Sequence, residues 1–196
     1  MSQVAMNSAA IRDKIKAQRN VLTSDDVVDA SIDISRRLWG LPVLSRARRI
    51  ACYFPVGREV DCRFFIFTAW ERGRTVLLPM LSGLELKFST YDSKTTFLRN
   101  QHDIPEPAGK KLQFAKPREI DVVLAPLVAF DTTGNRIGMG GGYYDRSFRF
   151  MRSRVTWRRP TLIGLAYEFQ KVPEIKAHSW DIPLQFVVTE KNIYKF

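Results

Sequence analysis

Residues 138–142 contain four glycines, interrupted only by Met139, and Tyr143, Tyr144, Asp145 and Arg146 follow directly. Glycine loses more backbone freedom on folding than any other residue, so such a run is destabilising unless it has a use. Without Cβ atoms, successive backbone N–H groups can approach an anion closely and form a nest for phosphate oxygens. A helix beginning at Tyr143 would direct the positive end of its dipole to the same place. The residue types therefore indicate phosphate binding.

Neither common nucleotide-binding loop accounts for this run. The dinucleotide pattern G-x-G-x-x-G, counted from Gly138, would need a glycine at Tyr143. The Walker A pattern needs Lys-Ser or Lys-Thr after its last glycine, and no glycine here has that neighbour. A flexible turn is the alternative interpretation. The flanks favour a functional loop, because residues 130–136 and 143–146 make a long polar connection between an apolar strand and a helix.

Helical and apolar patterns alternate along the rest of the chain. We predict helices from Ser8 to Leu22, from an N-cap at Thr23 or Ser24, and from Asp61 to Arg72. On the first helix, Ile11 and Ile15 share one side with Gln18 or Arg19. The predicted strands are 49–54, 75–78, 84–88, 121–129, 161–166 and 185–188. The weakly periodic, proline-bearing residues 91–116 are predicted to be a loop with at most one short element.

The strand, helix and strand within residues 49–78 have the spacing of a right-handed parallel crossover. We therefore expect residues 1–196 to form a single three-layer α/β/α domain with a mostly parallel, Rossmann-like sheet. In such a fold the glycine run follows the carboxyl end of a strand, which is where open α/β sheets bind ligands.

The formal net charge of +11 suggests an anionic partner. The densest basic run consists of Arg146, Arg149, Arg152, Arg154, Arg158 and Arg159. On a helix from Tyr143, Phe148, Met151 and Val155 would form the apolar side and leave a solvated basic face. Steering of a small anionic substrate is a second interpretation and RNA binding a third. No recognisable nucleic-acid-binding module is present, so nucleic acid is not the expected partner.

The composition favours a folded cytoplasmic protein. Hydrophobic residues make up 45% of the chain and charged residues 26%, which argues against disorder. The longest apolar stretch, residues 122–130, is far shorter than the roughly 20 residues that span a bilayer, so no membrane association is expected. Cys52 and Cys62 lack C-x-x-C spacing and lie in apolar surroundings, which is typical of reduced core thiols.

Three stretches together resemble the signature of the 5-formyltetrahydrofolate cyclo-ligase (5,10-methenyltetrahydrofolate synthetase) family. They are Pro-Leu-Val-Ala-Phe-Asp at 126–131, Gly-Asn-Arg-Ile-Gly at 134–138 and Gly-Gly-Gly-Tyr-Tyr-Asp-Arg at 140–146. The likeness extends to Arg12, 49–59, Ile-Pro-Glu-Pro at 104–107, 180–184 and 187–190. It covers nearly the whole chain.

The resemblance implies a cytoplasmic, monomeric enzyme whose partners are 5-formyltetrahydrofolate and MgATP. ATP would phosphorylate the formyl oxygen, N10 would attack the activated carbon, and loss of phosphate would give 5,10-methenyltetrahydrofolate, ADP and phosphate. Such a reaction requires mainly positioning and charge stabilisation from the protein. A basic RNA-associated α/β protein without enzymatic activity is the alternative hypothesis, and an enzyme acting on a sugar phosphate or on CoA is a third.

The resemblance also assigns residues to roles. The residues expected to bind ATP are Arg12, Arg136, Ile137, Gly138, Met139, Gly140, Gly141, Gly142, Tyr143 and Tyr144. Those expected to bind the folate are Phe54, Glu59, Met139, Gly140, Gly141, Gly142 and Tyr143. Arg136, Tyr143 and Asp145 are expected to be catalytic, and Asp145 and Asp181 to bind Mg²⁺. Two carboxylates, with waters and phosphate oxygens, make a reasonable magnesium shell.

The chain departs from the family at Ser8, where a lysine one helical turn before Arg12 is usual. Lys14, Lys16 and Arg19 are the bases that could compensate. Without the resemblance, Glu59 would be interpreted as a surface loop acid. The two histidines, His102 and His178, are assigned structural or surface roles.

Overall fold

The computed structural model describes residues 7–109, 112–153 and 159–196. Within these ranges the α-helices are α1 (Ser8–Asn20), α2 (Ser24–Trp39), α3 (Pro42–Arg46), α4 (Arg63–Glu71) and α5 (Tyr143–Ser147). The strands are β1 (Arg49–Ala51), β2 (Thr75–Ser82), β3 (Glu85–Tyr91), β4 (Thr96–Arg99), β5 (Pro105–Ala108), β6 (Phe114–Ala115), β7 (Val122–Pro126), β8 (Ala129–Phe130), β9 (Arg136–Ile137), β10 (Thr161–Leu165), β11 (Phe186–Val188) and β12 (Ile193–Lys195).

Eight of these strands form one sheet in the order β12-β11-β10-β7-β1-β2-β3-β6. The five central strands, from β11 to β2, pair in parallel, whereas β12, β3 and β6 pair antiparallel at the two edges. The crossover predicted within residues 49–78 is confirmed, because β1 and β2 are parallel neighbours joined through α4. The prediction of a mostly parallel α/β sheet is also confirmed.

Side chains of the central strands alternate between two buried layers. On β7, Val122 and Leu124 belong to the core that includes α2 and α4, whereas Val123 belongs to the opposite core with Phe148 and Leu184. Both faces of the sheet are thus covered, which explains why these strands appear in the sequence as continuous apolar runs. Thr23, one of the two predicted N-cap residues, caps α2 and forms a capping box with Asp26.

Several predicted boundaries were wrong. The predicted loop at 91–116 contains the β4–β5 hairpin and β6. The predicted strand at 49–54 ends at Ala51, and the strand predicted at 121–129 is divided into β7 and β8. The helix from Tyr143 ends at Ser147 and a single 3-10 turn follows, so the long basic face expected there is absent up to residue 153. Arg154, Val155 and Arg158 lie outside the described residues.

Cys52 and Cys62 are buried and carry free thiols, as predicted. Burial raises the pKa of both, which keeps them protonated and unreactive. Nowhere in ranges 7–109, 112–153 and 159–196 does a helix combine the length and apolar character that crossing a bilayer requires.

Candidate active site

A cleft of ≈ 1110 Å³ opens beyond the carboxyl ends of the central strands. Tyr53 and Phe54 line it from the segment that follows β1, and Pro126 lines it from the end of β7. The β9 strand leads directly into the glycine loop, residues 138–142, and all five of its residues line the same cleft. The expected position of the loop, at the carboxyl edge of the sheet, is confirmed.

The backbone donors of the glycine loop, which lines this cleft, are unpaired within the described structure. None of the N–H groups of residues 138–142 donates to an acceptor among the described residues. Gly140 has a φ of +102°, a left-handed backbone conformation that residues other than glycine rarely adopt. A concave surface of free N–H groups suits an anion. The α5 helix is only 5 residues long, so the helix dipole expected behind the loop contributes less than a full helix would.

Contacts on both sides hold the loop in place. From α1, Arg12 donates through Nε to the carbonyl oxygen of Gly138 at 2.8 Å. From α5, Ser147 Oγ accepts the N–H of Leu86 on β3 at 2.8 Å, and Arg146 Nε donates to the carbonyl of Leu84 at 2.6 Å. The first helix and the β2–β3 hairpin therefore fix the two ends of the run beside the cleft.

Arg136 and Asp145 form a charged pair beside the loop. Arg136 Nη2 lies 2.6 Å from Asp145 Oδ1, and its Nη1 donates to the carbonyl of Ile182. The same Asp145 oxygen accepts the N–H of Ile182 at 3.1 Å. Asp181, one residue earlier, accepts the N–H of His178 through Oδ2 at 2.8 Å. The structure thus brings the two predicted metal-binding acids, Asp145 and Asp181, to one wall of the cleft.

Each of these two carboxylates has one oxygen that accepts no hydrogen bond from a described residue. They are Oδ2 of Asp145 and Oδ1 of Asp181. The described ranges contain no group of three His, Cys, Asp or Glu side chains that could enclose a metal by themselves. Magnesium usually keeps several waters and binds through one or two carboxylates together with substrate phosphates. The two free oxygens fit that kind of site.

Glu59 is buried, with 5% of its surface exposed, so the interpretation as a surface acid is wrong. Its Oε1 lies 3.3 Å from Nη1 of Arg19, and its Oε2 accepts the N–H of Val56 at 3.0 Å. Burial raises the pKa of Glu59, while the Val56 N–H and the Arg19 guanidinium oppose that rise. Phe54 lines the cleft nearby and packs edge-on against Tyr91 and Phe97.

The two tyrosines after the loop differ in environment. Tyr143 lies under the guanidinium of Arg146, and its hydroxyl is 3.4 Å from Nε2 of His102. Tyr144 stacks on Phe148, and burial raises the pKa of its phenol. Both line the cleft.

The sequence interpretation missed several cleft residues. His102, His178, Trp180, Arg152 and Lys176 all line the cleft. The His178 ring stacks on the Trp180 ring with centroids 4.5 Å apart. No sequence pattern links these residues to the glycine loop, because separate loops bring them to it. Of the bases expected to compensate for Ser8, Lys14, Lys16 and Arg19, none lines the cleft in the described structure, whereas Ser8 itself does.

A model of the "5-formyltetrahydrofolate cyclo-ligase family" matches residues 4–190. The chain belongs to this family. The 5-formyltetrahydrofolate cyclo-ligase of Haemophilus influenzae is 34% identical over 179 residues, covering 89% of this chain and 92% of that protein. The Escherichia coli K12 enzyme of the same name is 31% identical over 185 residues, covering 93% of this chain and 100% of that one.

Solved structures agree with the sequence relatives. The 5,10-methenyltetrahydrofolate synthetase of Aquifex aeolicus superposes with a TM-score of 0.81 at 29% identity, covering 97% of this chain and 93% of that one. The enzyme of that name from Mycoplasma pneumoniae gives a TM-score of 0.73 at 26% identity, covering 94% and 99%. The family resemblance predicted from the signature is confirmed, and so is the prediction that the chain is an enzyme of this ligase family. This outcome favours the ligase over the RNA-associated and sugar-phosphate or CoA alternatives.

Proposed function

We propose that the protein converts 5-formyltetrahydrofolate to 5,10-methenyltetrahydrofolate, using ATP and Mg²⁺ and releasing ADP and phosphate. Family membership supports the overall reaction. One observation carries the ATP-dependent version: a loop with free N–H groups, two carboxylates with a free oxygen each, and the buried acid Glu59 share one cleft. A phosphate-binding surface beside a separate acceptor for a neutral ring is what joining these two substrates requires.

The chemistry begins at the formyl oxygen, which is a poor leaving group. This oxygen takes the γ-phosphoryl group of ATP, and ADP departs. N10 then attacks the activated formyl carbon, the carbon–oxygen bond breaks with release of phosphate, and the N10 proton is lost. The protein contributes position and charge, which is where most of the catalysis of phosphoryl transfer resides.

Residues of the loop and its neighbours hold the phosphates. The N–H groups of residues 138–142 would donate to phosphate oxygens, and Arg136 adds positive charge from a side chain that is 7% exposed. Because its guanidinium already contacts Asp145 and Ile182, Arg136 acts from a fixed place. Ile137, Met139 and Tyr144 complete the nucleotide wall, and Arg12 supports the loop through the Gly138 carbonyl.

Asp145 and Asp181 are the residues that would hold Mg²⁺ through their free oxygens. When bound, the ion supplies charge neutralisation to the phosphate oxygens during transfer. Arg136 keeps the Asp145 carboxylate oriented for this contact.

The folate would bind on the side of the glycine loop where Glu59 and Phe54 lie, opposite to the ATP phosphates. Glu59 accepts the amino and ring N–H donors of the pterin, Phe54 contacts its ring, and Met139 and Tyr143 border the formyl group. Residues 140–142 separate the two subsites, which places the formyl oxygen beside the γ-phosphate.

We also propose that residues 1–196 form one domain and that the enzyme is a cytoplasmic monomer, in keeping with its reduced, buried thiols. Size-exclusion chromatography with light scattering tests the monomer.

The test is a direct assay with 5-formyltetrahydrofolate and MgATP, following the near-ultraviolet absorbance of the methenyl product and the release of ADP. We expect product only when folate, ATP and Mg²⁺ are all present, with one ADP released for each ring closed. Equal rates after chelation of Mg²⁺ or omission of ATP would overturn the cofactor assignment. An absence of product together with tight binding of RNA would favour the alternative hypothesis instead.

A further inference from the structure

Arg19 and Glu59 form an ion pair that is almost fully removed from solvent, with side chains 6% and 6% exposed. Arg19 belongs to the last turn of α1, and Glu59 to the segment between β1 and α4. The guanidinium makes one contact of 3.3 Å with the carboxylate, and its buried Nε has no partner among the described residues. The sequence left open whether Gln18 or Arg19 continues the apolar side of α1, and the structure places Arg19 there.

An ion pair of this kind is expected to add little to the free energy of unfolding. Removing a guanidinium from water carries a large desolvation penalty, which a good ion pair offsets only when the remaining N–H groups are also hydrogen-bonded. A single contact at 3.3 Å and an unpartnered Nε do not meet that condition. An apolar side chain would fill the same place on α1 at a lower penalty. The arginine is therefore better explained by what it does to Glu59.

Glu59 retains capacity to accept hydrogen bonds. An ionised carboxylate has about four lone-pair positions. The described structure uses one on each oxygen, for Arg19 and for the Val56 N–H. Glu59 also lines the cleft. One acceptor position on each oxygen thus remains for a ligand that presents two parallel donors.

We propose that Arg19 is a positioning residue of the folate subsite, which keeps the Glu59 carboxylate charged and aimed at the paired N–H donors of the pterin edge. This assignment rests on the proposed function. Arg19 does not line the cleft, so it acts through Glu59 and not on the substrate.

The surroundings of Glu59 explain why a buried cation is needed. Burial raises the pKa of Glu59, and the Val56 N–H and Arg19 oppose the rise. Four other titratable groups interact electrostatically with Glu59, namely Tyr53, Cys62, Tyr144 and Tyr167. Burial raises the pKa of each of them, so they stay neutral in a neutral buffer. Arg19 is the cation in this set.

The experiment measures binding of 5-formyltetrahydrofolate by calorimetry, without ATP, from about pH 6 to about pH 9, the range in which a buried carboxyl group can titrate. Arg19→Met removes the charge and retains bulk, and Arg19→Lys retains the charge. Lys16→Met removes a positive charge from the same helix, away from the cleft, and serves as the control. Glu59→Gln and the double variant Arg19→Met with Glu59→Gln complete a cycle.

At neutral pH we expect Arg19→Met to weaken folate binding by about tenfold or more and to leave MgATP binding within about twofold. Its folate affinity should recover as the pH rises, because Glu59 then ionises without Arg19. Arg19→Lys should lose less, Lys16→Met should match the wild type, and the double variant should bind no more weakly than Glu59→Gln alone.

Three results would overturn the proposal: folate affinity of Arg19→Met equal to that of the wild type, losses at the two positions that simply add, or equal losses in Arg19→Met and Arg19→Lys that do not change with pH. Thermal unfolding is measured for every variant. If Arg19→Met does not fold, the folate affinities of Arg19→Lys and Glu59→Gln are compared across the pH range. A loss of affinity in Arg19→Lys that becomes smaller as the pH rises, unlike that in Glu59→Gln, supports the proposal, and a loss that does not change with pH overturns it. A wild-type protein that neither binds 5-formyltetrahydrofolate nor forms the methenyl product would instead refute the proposed function.

Discussion

Residues 131–135 and the glycine loop at 138–142 lie close together in the chain, yet their polar groups are used in opposite ways. In the first segment, Asp131 is buried and accepts hydrogen bonds from both Thr133 and Asn135 and from the N–H of Ile175. In the second, no backbone N–H donates to a described residue. The carboxylate of Asp131 is thus used within the protein itself, whereas the backbone donors of the glycine loop are available to a ligand.

The glycines of the two segments differ in the same way. At Gly134, where φ is +86°, a Cβ would lie 2.7 Å from the carbonyl oxygen of Leu184 and 2.9 Å from the ring of Phe196. At Gly138, which lines the cleft, a Cβ would meet no described atom within 4 Å. Gly134 is therefore required by close packing, and Gly138 leaves space that a ligand can use. Glycine is thus needed at these two positions of one signature for different physical reasons.

The largest expected effect is on stability, in Gly134→Ala. The substitution forces a methyl group into backbone and ring atoms at a positive φ, so we expect a loss of about 2 to 5 kcal/mol in the free energy of unfolding. Urea denaturation measures it. Gly138→Ala is the matched control and should change the free energy of unfolding by less than about 0.5 kcal/mol. Similar losses in the two variants would remove the distinction between the segments.

Asp145→Asn should affect turnover far more than stability. A neutral amide is a weaker magnesium ligand than a carboxylate, so we expect kcat to fall by about 100-fold, which corresponds to about 2.7 kcal/mol. The amide oxygen can still accept from Arg136 and Ile182, which preserves the local fold. Asp103→Asn is the control, since Asp103 is exposed and asparagine tolerates its φ of 59°. Activity of Asp145→Asn within a few-fold of the wild type at saturating Mg²⁺ would argue against the metal role.

Asp131→Asn should lower the free energy of unfolding by about 2 kcal/mol, because the new amide would place a donor against the donors that Oδ1 or Oδ2 now accepts. Burial acts to raise the pKa of Asp131, but the donors of Asn135, Thr133 and Ile175 together outweigh it and lower the pKa from the ordinary value of an aspartate. The contribution of the carboxylate is thus complete above the unfolded-state value and is lost as the pH falls through the folded one. Denaturation curves of the two proteins, recorded from neutral to acid pH, should converge at the acid end, where Asp131 is protonated in the folded state as well. A constant gap would show that the charge of Asp131 is not involved.

Arg12→Ala should produce the smallest of these effects. Its guanidinium supports the loop through a single hydrogen bond to Gly138, so we expect the apparent affinity for ATP to fall by about tenfold while the KM for folate changes little. Steady-state kinetics with each substrate varied in turn decide the outcome. An unaltered ATP dependence would mean that α1 only covers the sheet.

The sequence predicted the central strands and α2 because their signals are local: apolar runs, an N-cap residue and a crossover spacing. It failed at the β4–β5 hairpin, where Pro105 and Pro107 lie in a strand. Proline lacks an N–H and argues against strand structure in any sequence-based assignment. The helix after the glycine loop was overestimated, because its apolar spacing continues beyond Ser147 although the backbone turns into a 3-10 conformation.

Within the site, the signature identified the contiguous residues, from Arg136 to Asp145, but not those brought in from a distance. His102 reaches Tyr143 across 41 positions of the sequence, and Arg19 reaches Glu59 across 40. The burial of Glu59, which decides its chemistry, depends on packing that no local pattern encodes. The same limitation explains why Gly134 and Gly138 could not be distinguished before the structure.

The most direct test of the account is the affinity of MgATP for Gly138→Val compared with the wild type, measured by calorimetry alongside unfolding in urea. The valine side chain would enter the space beside the open N–H groups without meeting described protein atoms at its Cβ. We predict that binding weakens by about tenfold or more while the free energy of unfolding stays within about 1 kcal/mol of the wild-type value. Unchanged MgATP affinity in a folded Gly138→Val protein would contradict the assignment of residues 138–142 as the phosphate-binding loop.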